Sequence, residues 1–109
     1  MDAALLRKTI DESWTPDVIA ANRAAAASTA RPSFAQARGV IDQQFLDSIA
    51  YHKNRNYPEV EKPKYEFTVY TAGHYCFRGV GICILVAEYA AECGFAAQFE
   101  HDRIRFTTL

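Results

Sequence analysis

The chain has 109 residues, half of them apolar, with 12 Lys plus Arg against 13 Asp plus Glu and a formal net charge of -1. That size and balance fit one domain around one core, and argue against disorder and against the basic excess a duplex-DNA binder uses to neutralise phosphates. Three cysteines, Cys76, Cys83 and Cys93, stand at no CxxC or metal-finger spacing, so reduced thiols in a cytoplasmic setting are expected, without disulfide, structural zinc or other cofactor.

At the N-terminus Lys8, Asp11 and Glu12 interrupt what a secretion signal would need as an apolar core, and none is expected. The longest uncharged apolar run, Gly79 to Ala87, is far below the ~20 residues that span a bilayer. No membrane association is expected. Asp2 can cap a first helix carrying Leu5, Leu6 and Ile10 on one stripe. Thr15-Pro16-Asp17 then supplies a capping hydroxyl, a proline at the first helical position and an acid at the positive dipole end. A second helix is expected from there, Val18 to Ala30, alanine-rich and frayed at its far end for want of large apolar surface.

Arg31-Pro32-Ser33 reads as a break, with Ser33 capping a third helix in which Phe34, Ala37, Ile41, Phe45 and Ile49 form a core stripe. Arg38, Asp42 and Gln43 fall away from that stripe and read as solvated. Residues 52–64 combine charges with two prolines and no periodicity, as an exposed connector does. They separate a helical half, 1–51, from a mixed half, 65–109.

Alternation of Tyr65, Phe67 and Val69 with Glu66, Thr68 and Tyr70 predicts a strand from Tyr65 to Thr71 with one face buried. After the turn at Ala72-Gly73, a largely apolar helix is expected from His74 to Cys93, its polar stripe made by His74, Arg78, Glu88 and Glu92, and Gly94 as its C-terminal cap. Around His101-Asp102 the ends pair by polarity, Glu100 with Arg103, Phe99 with Ile104, Gln98 with Arg105 and Ala97 with Phe106, which predicts a hairpin. The fold class read from this order is α+β: three N-terminal helices, then strand, helix, strand, strand, with a small three-stranded sheet packed on a buried central helix.

Chemistry-bearing motifs are sparse. The turn at Gly73 and His74, with Arg78 behind it, could offer backbone N–H groups and a guanidinium to an anion, although neither a phosphate loop nor GxGxxG is present. Cys76 near His74 is a weak candidate nucleophile in the first turn of that helix, and a core position for it is the more economical reading. His52, His74 and His101 lie far apart in sequence and predict no metal site. Glu88 and Glu92, one turn apart on an open face, read as a solvated stripe.

Tyr51, Lys53, Arg55 and Tyr57 interleave rings with cations, the chemistry of a single-strand nucleic-acid platform. Glu59 and Glu61 offset that charge. Six tyrosines in a short, motif-poor chain favour a protein partner, and the expected binding surface is Tyr51, Lys53, Arg55 and Tyr57 together with the outward residues Glu66, Thr68 and Tyr70. The functional expectation is a small non-enzymatic protein-binding regulator or inhibitor of a larger protein, monomeric or homodimeric; phage-encoded inhibitors of host defence are one class of this size. The alternatives are a nucleic-acid module centred on Lys53 and Arg55, and a small enzyme or anion-binding domain using Gly73 to Arg78 and Cys76.

Overall fold

In a computed structural model, which describes residues 2–53 and 64–109, the element order is α1 (Ala3–Ser13), α2 (Pro16–Lys53), β1 (Glu66–Tyr70), a 3-10 turn (Tyr75–Phe77), α3 (Val80–Glu92), β2 (Phe95–Phe99) and β3 (Arg103–Thr108). The class is α+β, with α3 packed against a three-stranded antiparallel sheet as the residue pattern predicts. Strand order is β1-β3-β2. The last strand in sequence thus fills the centre, and both edges are taken by the strands that flank α3 in sequence.

The hairpin closes in the register that charge and polarity matching predicts, with Ala97 opposite Phe106, Gln98 opposite Arg105 and Phe99 opposite Ile104. On the other side of β3, Phe67 faces Phe106 and Val69 faces Ile104. One face of the sheet therefore carries Phe67, Val69, Ile104, Phe106 and Phe95, all buried, and the other is polar. Phe106 is 1% exposed and stacks on Phe67 at 4.8 Å.

The caps predicted at Asp2 and Thr15 form, and the one at Ser33, inside a continuous helix, does not: the Leu5 N–H donates to Asp2 Oδ1 at 2.7 Å, and the Val18 N–H to Thr15 Oγ1 at 3.3 Å. The predicted break at Pro32 does not. Helix α2 runs unbroken through it for 38 residues, so the expected second and third helices are one. Pro32 lacks the N–H that would bond the Ser28 carbonyl, a loss that ends many helices. Here packing on both sides outweighs it: Ala27 and Ala30 lie against α3 before the proline, and Ala37 and Ile41 enter the core after it. Nor is the run before Pro32 frayed, because Ala27 is buried where α2 crosses α3.

That crossing is unusually close. A Cβ added to Gly81 would stand 2.0 Å from the Ala26 carbonyl oxygen and 3.0 Å from the Ala30 methyl. Alanines on one helix and glycine on the other let the backbones approach, which is the use the structure makes of a run with little apolar surface.

The central helix begins later than His74. Gly79 takes φ 95, a left-handed conformation open to glycine, and separates the 3-10 turn from α3. The faces of the helix follow that later start: within the largely apolar run Val80 and Ala87 are exposed, while Gly81 and Leu85 are buried. Glu88 and Glu92 remain exposed. Gly94, at φ 82, follows the helix end as predicted, its N–H donating to the Ala91 carbonyl.

Asp42 and Arg38 are not simply solvated. The Tyr89 hydroxyl donates to Asp42 Oδ1, and Arg38 lies 4.7 Å over the Tyr89 ring while approaching Asp42 at 3.7 Å. This group ties α2 to α3 beside the core. Burial, and then the hydrogen bond to Asp42, push the Tyr89 phenol from its ordinary value near 10 up to about 12. A proton held more tightly in the folded chain stabilises it fully below pH 10, and that contribution is lost as pH rises through about 12. Tyr89→Phe is expected to cost about 1–2 kcal/mol at neutral pH and to abolish the added alkaline sensitivity, as read from denaturant unfolding at a series of pH values.

Candidate functional site

Two regions stand out, one at the sheet's end and one far from it. The first is a cleft of about 530 Å³ lined by Thr71, Ala72, Gly73, His74, Tyr75, Phe77, Arg78, His101 and Asp102. It exists because the Thr71 N–H donates to the Asp102 carbonyl at 3.0 Å, so the hairpin turn closes beside the loop that leaves β1. Gly73, at φ 83, turns that loop, and the His74 N–H returns to the Thr71 carbonyl.

Gly73, His74 and Arg78 line one cleft, with His101 and Asp102 added by the hairpin. The expected helix dipole is not at Gly73, since α3 starts only at Val80. Arg78 lies 4.2 Å over the Tyr75 ring, and the His74 ring packs edge-on against Phe77. Asp102 brings a carboxylate to the cleft, held below its usual range chiefly by hydrogen bonds from Arg103 at 2.9 and 3.1 Å. An anion would meet that charge.

Cys76 is 4% exposed within the core, and burial pushes its thiol up, away from the thiolate a nucleophile needs. Cys83 is shifted the same way for the same reason, and Cys93 is exposed. Among the described residues no group of three or more His, Cys, Asp or Glu is placed to hold a metal ion, and no helix is long and apolar enough to cross a membrane.

The tyrosine surface is only partly assembled. Tyr51, 67% exposed, and Lys53 sit at the end of α2. That end meets β1 at Tyr65, whose ring packs 5.1 Å from His52, so His52 is half-buried and not a solvated helix end. Tyr70 lies at the other end of β1, about 17 Å away along the strand. Arg55 and Tyr57 lie outside the described residues.

Between those ends the outward sheet face is neutralised. Arg105 pairs with Glu100 at 3.1 Å and Glu66 at 3.5 Å, and Arg103 reaches Asp102 and lies 5.1 Å over the Tyr70 ring. Thr68 lies half-buried between them. Cations committed to carboxylates leave little to hold a phosphate backbone.

The second region is the N-terminal arm, residues 2–25. Helix α1 buries nothing, and α2 buries nothing before Ala27. Yet Leu5, Leu6, Ile10, Trp14, Val18 and Ile19 are each 38–59% exposed. The Leu5-Leu6-Ile10 stripe is legible in the sequence, but not that α1 buries none of its residues. A signal was available in the alanine run that follows, which has no large side chains to fold back on. The arm makes the molecule 67 Å long with a Cα radius of gyration of 18.7 Å, against about 13 Å for a compact chain of this length.

Compared with protein-family models, curated proteins and solved structures, the chain matches none of them.

Proposed function

We propose that this chain is a non-enzymatic protein-binding module whose docking element is the arm, with the α2–α3–sheet body as its anchor. The observation that carries the reading is the arm's six exposed large apolar side chains on helices that bury none of them. Large apolar side chains exposed together on one element, rather than scattered singly, mark sites of association. A regulator or inhibitor acting on a larger protein is the form of this function the chain's small size suggests. The surface differs from that expected at Tyr51 to Tyr57, and the neutralised sheet face gives the nucleic-acid alternative no added support.

Leu6→Glu, Ile10→Glu and Trp14→Glu, made together, are expected to leave the body's melting temperature within a few degrees of wild type, since exposed substitutions each move stability by roughly 0.5 kcal/mol or less. The same variant is expected to lose a stoichiometric protein partner that the tagged wild-type chain retains at high salt. Retention of the same partner by the variant, or capture of nucleic acid alone that is lost as salt rises, would contradict the reading.

A further inference from the structure

We infer that two copies of this chain pair through β2, antiparallel about a two-fold axis at Ala97, joining their three-stranded sheets into one; the pairing is independent of the arm. The first ground is the strand edge. The Leu109 N–H donates to the Gly94 carbonyl at 3.0 Å and the Glu100 N–H to the Arg103 carbonyl at 2.9 Å, so Gly94 and Glu100 turn their main-chain groups toward β3. Such groups alternate in direction along a strand. Phe95, Ala97 and Phe99 therefore direct theirs outward, where none of the described residues pairs with them. Native edges are blunted by charge, proline or a bulge. β2 reads FAAQF, pairs with β3 without a bulge, and carries neither charge nor proline, whereas β1 holds Glu66 and β3 holds Arg103 and Arg105.

Self-pairing about Ala97 uses all of that edge. Phe95 of one copy meets Phe99 of the other and Ala97 meets its own counterpart, each at an outward-directed position, while Ala96 meets Gln98 on the polar face. An axis at Ala96 or at Gln98 would leave Phe99 or Phe95, respectively, without a strand partner. On the core face Phe99, 39% exposed, then lies beside Phe95 of the other copy as an aromatic cross-strand pair.

The second ground favours a second copy over any other strand. Helix α2 holds the face of α3 made by Gly81, Leu85 and Tyr89, and the sheet core takes Ile82, Val86 and Ala90. With successive residues 100° apart, the next face round the helix, away from α2, is Cys83, Ala87 and Ala91 with Val80. Val80, Ala87 and Ala91 are exposed and Cys83 is half-buried. β1 and β2 are parallel, each being antiparallel to β3, and the right-handed crossover such units take turns that flank toward the free edge of β2. Only Cys93 and Gly94 separate α3 from β2, so the two run antiparallel, and Ala87 and Ala97 both stand about 7 Å back from the turn. The axis that pairs the strands thus sets α3 against α3 at Ala87, where a methyl admits the usual helix separation of about 8–10 Å. An extended peptide would complete the strand and leave that flank bare.

Sedimentation equilibrium of the full chain tests the pairing. The wild type is expected to dimerise with a Kd well below about 1 mM. Ala87→Arg, at an exposed position, and Ala97→Pro, which removes an outward N–H and no bond to β3, are each expected to give a monomer. Ala96→Glu with Gln98→Glu sets carboxylates opposite one another twice and should weaken the dimer about tenfold or more. Ala96→Lys with Gln98→Glu sets opposite charges there and should restore it. Gln98 faces Arg105 within the chain, so a glutamate in its place keeps the hairpin. A cooperative melt in each variant shows that the fold is intact, and the variants at exposed positions decide the matter where Ala97→Pro does not fold. A chain monomeric at every concentration, or a dimer indifferent to these changes, overturns the inference. A dimer lost instead through Leu6→Glu, Ile10→Glu and Trp14→Glu places self-association on the arm and also overturns it; the arm's own reading is judged separately, by whether that variant loses a foreign protein partner.

Discussion

Gly81→Ala is expected to destabilise the fold by about 3 kcal/mol, although the same change in an open helix stabilises by about 1 kcal/mol through backbone entropy. The new methyl would lie 2.0 Å from the Ala26 carbonyl oxygen and 2.6 Å from its carbon. Backbone cannot rotate aside as a side chain can, so α2 and α3 must separate along their whole contact. Ala27, Ile84 and Leu85, buried together at that crossing, would be opened with it. Gly39 supplies the control. It lies in α2 with nothing within 4 Å of an added Cβ, and Gly39→Ala is expected to raise stability by about 1 kcal/mol. Denaturant unfolding of both variants, made in one background, reads the contrast in sign.

Phe106→Ala is expected to cost about 4 kcal/mol, near the upper range for core truncation. The ring is 1% exposed on the central strand, faces Phe67 across one ladder and Ala97 across the other, and stacks on the Phe67 ring at an interplanar angle of 9°. Its loss leaves a void that β1, β2 and α3 cannot all close upon. Since domains are stable by only about 5–15 kcal/mol, this variant is expected to be partly unfolded at physiological temperature. Phe99→Ala, in the same hairpin but at a ring 39% exposed, is expected to cost about 1 kcal/mol.

Features decided by neighbouring residues were readable directly. The caps at Asp2 and Thr15, the strand alternation at Phe67 and Val69, the hairpin register and the core stripe at Ala37 and Ile41 each rest on local chemistry that tertiary contacts did not override. Pro32 is the opposite case. Its helix-breaking tendency is local, but whether it wins depends on packing at Ala27 before it and at Ala37 and Ile41 after it, and that packing exists only once α3 and the sheet are in place. Gly79 and Gly81 show the same asymmetry. Both appear as glycines in an apolar run, yet one ends the 3-10 turn through a left-handed φ and the other admits a neighbouring helix.

For the candidate sites the division is similar. Gly73, His74 and Arg78 were placed together because they are close in sequence, while His101 and Asp102 reach them through a hydrogen bond spanning 31 positions, Thr71 to Asp102. Tyr51 and Tyr70 were joined by composition, and β1 holds them apart. An amphipathic pattern in α1 reports that a face must be covered. It does not report that none of the described residues buries that face, which emerges only when α2 is seen to carry the arm away from the body.

Amide hydrogen exchange of the dilute free chain tests most directly whether the rest of the chain leaves the arm uncovered for a partner. An isolated helix as short as α1 is marginal in water, so its amides are protected only where something packs on it. The expected result is that α1 exchanges rapidly while α3 and β3, which hold the core, stay protected. Protection of α1 equal to that of α3 and β3 in the dilute chain would contradict the account.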